Sequence, residues 1–368
     1  MINTRLAAIA TSALLSAGLC TGQATAALAG PTATIAVPCD ATGLTSAVSG
    51  ATAGTVLVLP RGCTYELVGG LTVSTRLEII GNGDTIEPGI LGSHFSLITV
   101  TSTGHLRISA VNLNNASSSD VGGAISNDSG RVTVIRCKFA HDLAGGGGAI
   151  NSFAGRLRVY DSTFSDNGSD AGVHAAGGAI ETVGSDAVIK DSWFFDNASG
   201  GSNPKVGGGA IFASLGSLTV IDSDFRGNKG PSGGAIFRST GPVTIESSTF
   251  TSNSARPGYG GALFVNTTDG LISGSTFKLN DASADGGAIE IVGDPTIKDT
   301  VIDSNTTSGA GGGIYAPGVT LHLVGTSLLR NSAKLGGGGI YFTGSLSLAA
   351  TLFAGNKPDN CVPTIAGC

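Results

Sequence analysis

Residues 147–167 read GGAINSFAGRLRVYDSTFSDN. A glycine pair opens the stretch, and glycine tolerates the positive φ angles and close backbone approaches that a Cβ forbids. Leu157 and Val159 then flank Arg158, the period-2 alternation of a strand with one buried face. Phe164 and Asn167 close the stretch as a Phe-x-x-Asn motif.

The same sequence of signals recurs on both sides. A Gly-Gly-Ala-Ile type motif appears nine times, with its apolar residue at Ile125, Ile150, Ile180, Ile211, Ile236, Leu263, Ile289, Ile314 and Ile340, spaced 25 to 31 residues apart. The Phe-x-x-Asn motif follows each copy after 13 or 14 residues, beginning at Phe139, Phe164, Phe194, Phe225, Phe250, Phe277, Ile302, Leu328 and Phe353. Its last position is Asp142 in the first copy and Asn167, Asn197, Asn228, Asn253, Asn280, Asn305, Asn331 and Asn356 thereafter. Two motifs held in phase over nine copies define a repeat. Apolar alternation precedes the Phe in other copies too, as at Val132 and Val134, Leu218 and Val220, Val243 and Ile245, and Leu346 and Leu348.

A unit of about 26 residues built from strands and turns is too short for a propeller blade and lacks the helix of a leucine-rich repeat. What remains is an all-β solenoid, a single-stranded right-handed parallel β-helix of roughly 11–12 rungs capped at both ends. Rungs stack ~4.8 Å apart, so equivalent residues form columns. The Ile and Phe columns then fill the interior, and the Asn column forms an amide ladder between rungs. Composition agrees: 59 Gly in 368 residues, with one Met and one Trp, describes short strands and turns rather than helical domains.

The expected organisation is a signal peptide over 1–29, an N-terminal cap over 30–54, the β-helix over 55–356 and a C-terminal cap over 357–368. Arg5, the apolar run 6–19 and the small residues Ala24-Thr25-Ala26 or Ala27-Leu28-Ala29 make the leader. No second apolar stretch reaches membrane length. Leu44, Ala47 and Val48 fit a short amphipathic helix in the N-terminal cap. The irregular stretch 55–115 reads as the first two or three rungs.

Export makes disulfides feasible, and the expected pairs are Cys39 with Cys63 and Cys361 with Cys368, each bracketing one end of the array. Cys137 is left over. No Cys or His spacing suits zinc, and no cofactor motif is found, so neither metal nor cofactor is expected. The formal charge is −6, without a basic run, which argues against nucleic acid as a partner. A secreted monomer is expected.

At this point the repeats resemble those of the chlamydial polymorphic outer membrane proteins. Over roughly residues 35 to 360 the chain is similar to secreted actinobacterial β-helix repeat proteins, with Gly62-Cys63-Thr64-Tyr65-Glu66-Leu67 matching their opening segment. The resemblance implies the fold and a surface-interaction role of the adhesin type. It implies no catalytic residue.

Two candidate sites follow from the columns. If the motif's Ile points inward, the next residue points out: Ser126, Asn151, Glu181, Phe212, Phe237, Phe264, Glu290, Tyr315 and Tyr341. Five aromatics and two glutamates on one face suit the apolar faces of sugar rings, unless loops cover them. The second candidate is an acid column at Asp161, Asp191, Asp222 and Asp299, three residues before the Phe. Neighbouring carboxylates about 5 Å apart would match a retaining glycosidase, and Asp161, Asp191, Asp222 and Glu181 are the catalytic candidates. Turn chemistry is the plainer account of that column, because Ser247 and Gly274 occupy it in later rungs. The histidines (His94, His105, His141, His174 and His322) share no short spacing. The Gly-His-Gly, Asp-Asp and Arg-Ile-Lys segments of pectin hydrolases are missing. Non-catalytic binding of a polysaccharide or cell-surface protein is therefore the leading reading. The alternative is a polysaccharide lyase or glycoside hydrolase, its cleft walled by the long turns 167–176 and 197–206.

Overall fold

Each rung is a triangle of short strands whose corners are single residues. In the first full repeat, Arg131–Ile135 leads through Arg136 to Lys138–Ala140, then through His141 to Leu143–Ala144, and then by a glycine turn to Ile150–Phe153. Arg136 (φ 51°) and His141 (φ 58°) are left-handed, and one such residue is enough to turn a strand through a corner. The corners repeat at Asp161 and Asp166, Asp191 and Asp196, and at equivalent positions onward.

We describe a computed structural model covering residues 33–368 except 91–93, 171–175, 202, 204–205 and 268. The expected signal peptide lies outside the described residues. Residues Ala33–Cys368 form one unit, a parallel solenoid of about 12 turns. The nine strands that open with the Ile motif, together with Leu71–Val73, Ile98–Val100 and Cys361–Val362, form a 12-stranded sheet, here called the motif sheet. A 23-stranded sheet and an 8-stranded ladder make the other two sides. Pairing is parallel and in register between repeats: Ile150 pairs with Ile125 and Ile180, and Phe164 with Phe139 and Phe194.

The columns predicted from the repeats fill the interior. Phe139, Phe164, Phe194, Phe225, Phe250 and Phe277 stack with centroids 4.6–4.8 Å apart and planes within 4° of parallel. From Phe164 onward these rings are wholly buried, as are the motif isoleucines.

The Asn column is more than an amide ladder. From Asn197 onward each Asn Oδ1 accepts from the backbone N–H and the Nδ2 of its counterpart one rung earlier, while its own Nδ2 also donates to the carbonyl of the Phe, Ile or Leu that opens the preceding rung's motif. Asn197 shows the pattern: Oδ1 takes both bonds from Asn167 (3.1 and 2.9 Å), and Nδ2 reaches Phe164 O (3.0 Å) and Asn228 Oδ1 (3.0 Å). These amides are buried and fully paired, which is the condition for a polar column inside a core. The ladder ends where Asn356 donates to Asn360 (2.9 Å). It begins at Asp142, whose Oδ1 accepts the Ala116 N–H (2.9 Å) while Oδ2 is buried without a partner.

A second ladder lies at the other corner. Ser162, Ser192, Ser223, Ser248, Ser275 and Thr300 follow the left-handed residues; each hydroxyl donates to the carbonyl two residues back and accepts the N–H one rung earlier. Cys137 heads this column. Its N–H donates to Ser162 Oγ (3.1 Å) and its thiol meets the carbonyls of Ile135 and Ile108 (3.4 and 3.7 Å). Cys137 is thus a buried structural thiol, and burial pushes its pKa up to about 11.

Both ends are covered. A helix, Ala41–Ser49, starts at Asp40, whose side chain accepts the Gly43 N–H (2.7 Å), and buries Leu44 and Val48 against the first rungs. Disulfides join Cys39 to Cys63 and Cys361 to Cys368. Cys361–Val362 adds the last strand to the motif sheet.

Candidate functional site

The residues that follow the motif Ile do form one column on the outer side of the motif sheet. Asn151 pairs with Glu181, Glu181 with Phe212, Phe212 with Phe237, Phe237 with Phe264, Phe264 with Glu290, Glu290 with Tyr315, and Tyr315 with Tyr341. They do not form an open stripe. Glu181, Phe212, Phe237 and Glu290 are buried, whereas Phe264, Tyr315 and Tyr341 are half-buried.

The covering element is the turn just before each glycine pair. The residue preceding that pair is Gly146, Ala176, Gly207, Ser232, Ala310 or Gly336 in six repeats. These small residues let the turn lie against the column. At Gly146 a Cβ would fall on the Glu181 carboxylate, so a larger residue there would have to displace that side chain. The first repeat has Val121 there, and in two consecutive repeats the position is Tyr259 and Asp285. There the fit opens into a cleft of about 330 Å³ lined by Phe237, Ser239, Tyr259, Phe264, Asn266 and Glu290. Tyr259 is fixed by its neighbours: its N–H donates to Ser232 Oγ (3.0 Å) and its carbonyl accepts the Gly233 N–H (2.8 Å). Asp285 Oδ1 accepts the Ala310 N–H (2.7 Å).

One aromatic stack lines this cleft and a second follows it along the column. Phe237 and Phe264 lie 4.5 Å apart at 5°, and Tyr315 and Tyr341 lie 5.2 Å apart at 18°. Glu290 occupies the single position between them. Its Oε2 has no hydrogen-bond partner. Burial first, and then the charge of Asp285, push its pKa up to about 9, so it is a neutral carboxylic acid at physiological pH. Tyr315 is raised as well, first by burial and then by Asp285, Glu290, Tyr341 and Tyr259. Glu181 is also buried but accepts from Asn151 Nδ2 (3.3 Å); its pKa is pushed up to about 7, burial outweighing that bond. Among the described residues no Lys, Arg or His lines the cleft. The buried Arg238, beside Phe237 in sequence, points into the solenoid and donates to the carbonyls of Leu215, Gly216 and Gly241 (3.1, 2.5 and 3.1 Å).

The acid column sits elsewhere. Asp161, Asp191, Asp222 and Asp299 occupy left-handed corners (φ 49°, 50°, 47° and 48°) on the outside of the 23-stranded sheet. Asp and Asn tolerate this conformation better than other side chains with a Cβ, and Ser247 and Gly274 adopt it in turn. Lys190 and Lys298 pair loosely with Asp191 and Asp299 (3.9 and 3.7 Å). The middles of the two long turns expected to wall a cleft, 171–175 and 202–205, lie largely outside the described residues. His174 does too, and His94, His105, His141 and His322 are exposed.

Tyr259 and Asp285 were not singled out by sequence, although a signal existed. They are large residues in a column that is otherwise small in nearly every repeat.

Comparisons with known proteins agree with the architecture. Residues 89–250 match the family model for a right handed beta helix region, and residues 299–317 match the Chlamydia polymorphic membrane protein repeat. No curated protein matches the sequence. Among solved structures, tailspike protein 3 of bacteriophage CBA120 is 11% identical with a TM-score of 0.46, covering 88% of this chain and 59% of its own. PfbA, a surface adhesin of Streptococcus pneumoniae, is 11% identical with a TM-score of 0.46, over 84% of this chain and 86% of its own. The A-module of a mannuronan C-5 epimerase of Azotobacter vinelandii is 12% identical with a TM-score of 0.30, over 88% of this chain and 96% of its own. The chain thus spans little more than half of the tailspike. Repeat, register and family matches together identify the chain as a right-handed parallel β-helix protein whose repeats are similar to those of the Chlamydia polymorphic membrane proteins.

Proposed function

We propose that the chain is an exported, non-catalytic binding protein that holds a saccharide in the cleft beneath Tyr259. The observation that carries this reading is the local break in the column before the glycine pair. Six repeats hold a small residue there, whereas Tyr259 lines a cleft with an aromatic wall and Asp285 follows in the next repeat. Phe264 and Tyr259 offer apolar surface to a sugar ring, while Ser239, Asn266 and Glu290 offer hydrogen bonds, the usual mixture in a binding pocket. A neutral Glu290 both donates and accepts, and it is not a base at physiological pH. The leader-like N-terminus and the two disulfides support export. Among the described residues no helix is long and apolar enough to cross a membrane.

Polysaccharide cleavage is the second reading, favoured by one observation: the Glu181 carboxyl is buried on the motif sheet against Asn151, and burial pushes its pKa up to about 7, the range of an acid or base catalyst. A polysaccharide panel separates the two. Retention of a glycan without new reducing ends or unsaturated uronate products, weakened in Tyr259→Ala and Phe264→Ala variants, supports binding. Product release abolished by Glu181→Gln overturns it.

A further inference from the structure

Taking the saccharide reading as given, we infer that the cleft selects a sugar bearing a free ammonium group, a deacetylated amino sugar, with the ammonium seated at Glu290. The argument rests on what surrounds that residue. Glu290 is 5% exposed, lines the cleft and has an unpartnered Oε2. It interrupts an aromatic column, with the Phe237–Phe264 stack on one side and the Tyr315–Tyr341 stack on the other. Ring faces are electronegative, so a carboxylate between two stacks is opposed by both, and an ammonium in the same place is attracted by both.

The charges that reach this position are all of one sign. Asp285 acts on Glu290, and Tyr315 senses Asp285, Glu290, Tyr341 and Tyr259. With no cation lining the cleft among the described residues and the Arg238 guanidinium engaged on the opposite side of the strand, a uronate carboxylate would meet no opposite charge. Hydrogen-bonding Ser239 and Asn266 suit the hydroxyls of a sugar ring, whereas the alkyl stem of a lysine would leave both unused.

Binding then carries a proton balance. The free protein holds Glu290 as the acid, and an arriving ammonium makes the carboxylate the better partner. The Glu290 proton passes to the buffer, leaving an ammonium–carboxylate pair. Glu290→Gln preserves the neutral shape of the empty site and removes the ability to ionise, so the variant is expected to fold.

The test is calorimetric titration of the full chain at about pH 5.5, where an amine of ordinary basicity is protonated. The titrants are a glucosamine tetrasaccharide, its N-acetylated counterpart and a galacturonate tetrasaccharide, each in two buffers of different ionisation heat. The amino form should bind roughly tenfold or more tightly than the acetylated form, release close to one proton, and leave the uronate without measurable binding. Glu290→Gln should bind both hexosamine forms alike and release none. Equal or tighter binding of the acetylated form, or a preference that survives Glu290→Gln, overturns the ammonium assignment and leaves the saccharide reading standing. No binding of any of the three overturns both, as does a lysine tetrapeptide that binds more tightly than the amino sugar.

Discussion

Replacing Asp142 with asparagine tests how the amide ladder begins. Asp142 is fully buried, its backbone N–H donates to Asn167 Oδ1 (3.0 Å), and its Oδ2 faces no donor. Burial holds its carboxyl well above the usual range, opposed only by the Ala116 N–H. An amide here would place Nδ2 as Asn167 places its own, which bonds Asn197 Oδ1 (2.9 Å) and the Phe139 carbonyl (3.1 Å). An unsatisfied buried polar group costs about 1–3 kcal/mol, so Asp142→Asn should raise stability by about that amount at neutral pH. The pH dependence has a definite sign. A carboxyl whose folded-state pKa is raised favours folding fully below its unfolded pKa, and that contribution is lost as pH rises through the folded value. The gain from Asp142→Asn should therefore be large at pH 7 and shrink toward pH 4. Urea midpoints of wild type and variant, compared at both pH values with unchanged slope, measure it. A gain that is absent at neutral pH, or equal at the two, would refute the reasoning.

Two further outcomes follow from the columns. Phe225→Ala removes a ring held between Phe194 and Phe250, 4.7 and 4.8 Å away, and should cost about 3–5 kcal/mol in urea unfolding; a loss under 1 kcal/mol would mean that the stack contributes little. Cys137, with its thiol raised to about 11, should resist iodoacetamide at pH 8 until the protein unfolds. Cys137→Ser, which continues the hydroxyl ladder, should change stability by less than about 1.5 kcal/mol. Rapid native-state alkylation would contradict the burial.

The repeat was legible because its demands are periodic. A buried Phe at one corner, an Asn after the left-handed residue and a glycine pair before the Ile are each required by every rung, so they recur in the sequence at a fixed phase. The hydroxyl ladder is just as periodic, yet Ser162, Ser192 and Ser223 follow Asp161, Asp191 and Asp222, and the acids draw the eye to catalysis. Strand alternation correctly placed Phe237 outside and by the same logic places Arg238 inside, where carbonyls of two neighbouring corners satisfy it. Alternation cannot say whether an outward face is open. That depends on how closely the preceding turn folds back, which Gly146 and Tyr259 decide in opposite ways. Glu290 was found by column counting, but its protonation depends on the third dimension, on Asp285 and on enclosure.

Every side-chain bond between amides of the ladder runs the same way, from Nδ2 of one rung to Oδ1 of the next. Such a chain resembles a filament with a plus and a minus end, and its length has no natural limit. Asn360, the strand Cys361–Val362 and the disulfide to Cys368 act as the terminator at one end, and the helix Ala41–Ser49 blocks the other. Ser345–Ala349 and Leu352–Ala354 pair only with the preceding rung, so their outer edges face along the axis. A second molecule docking there would make a head-to-tail contact that never closes, the geometry of a growing fibre rather than a dimer. The C-terminal segment, which packs Ile365 and Cys368 against the core, stands beside the edge through which such a fibre would grow.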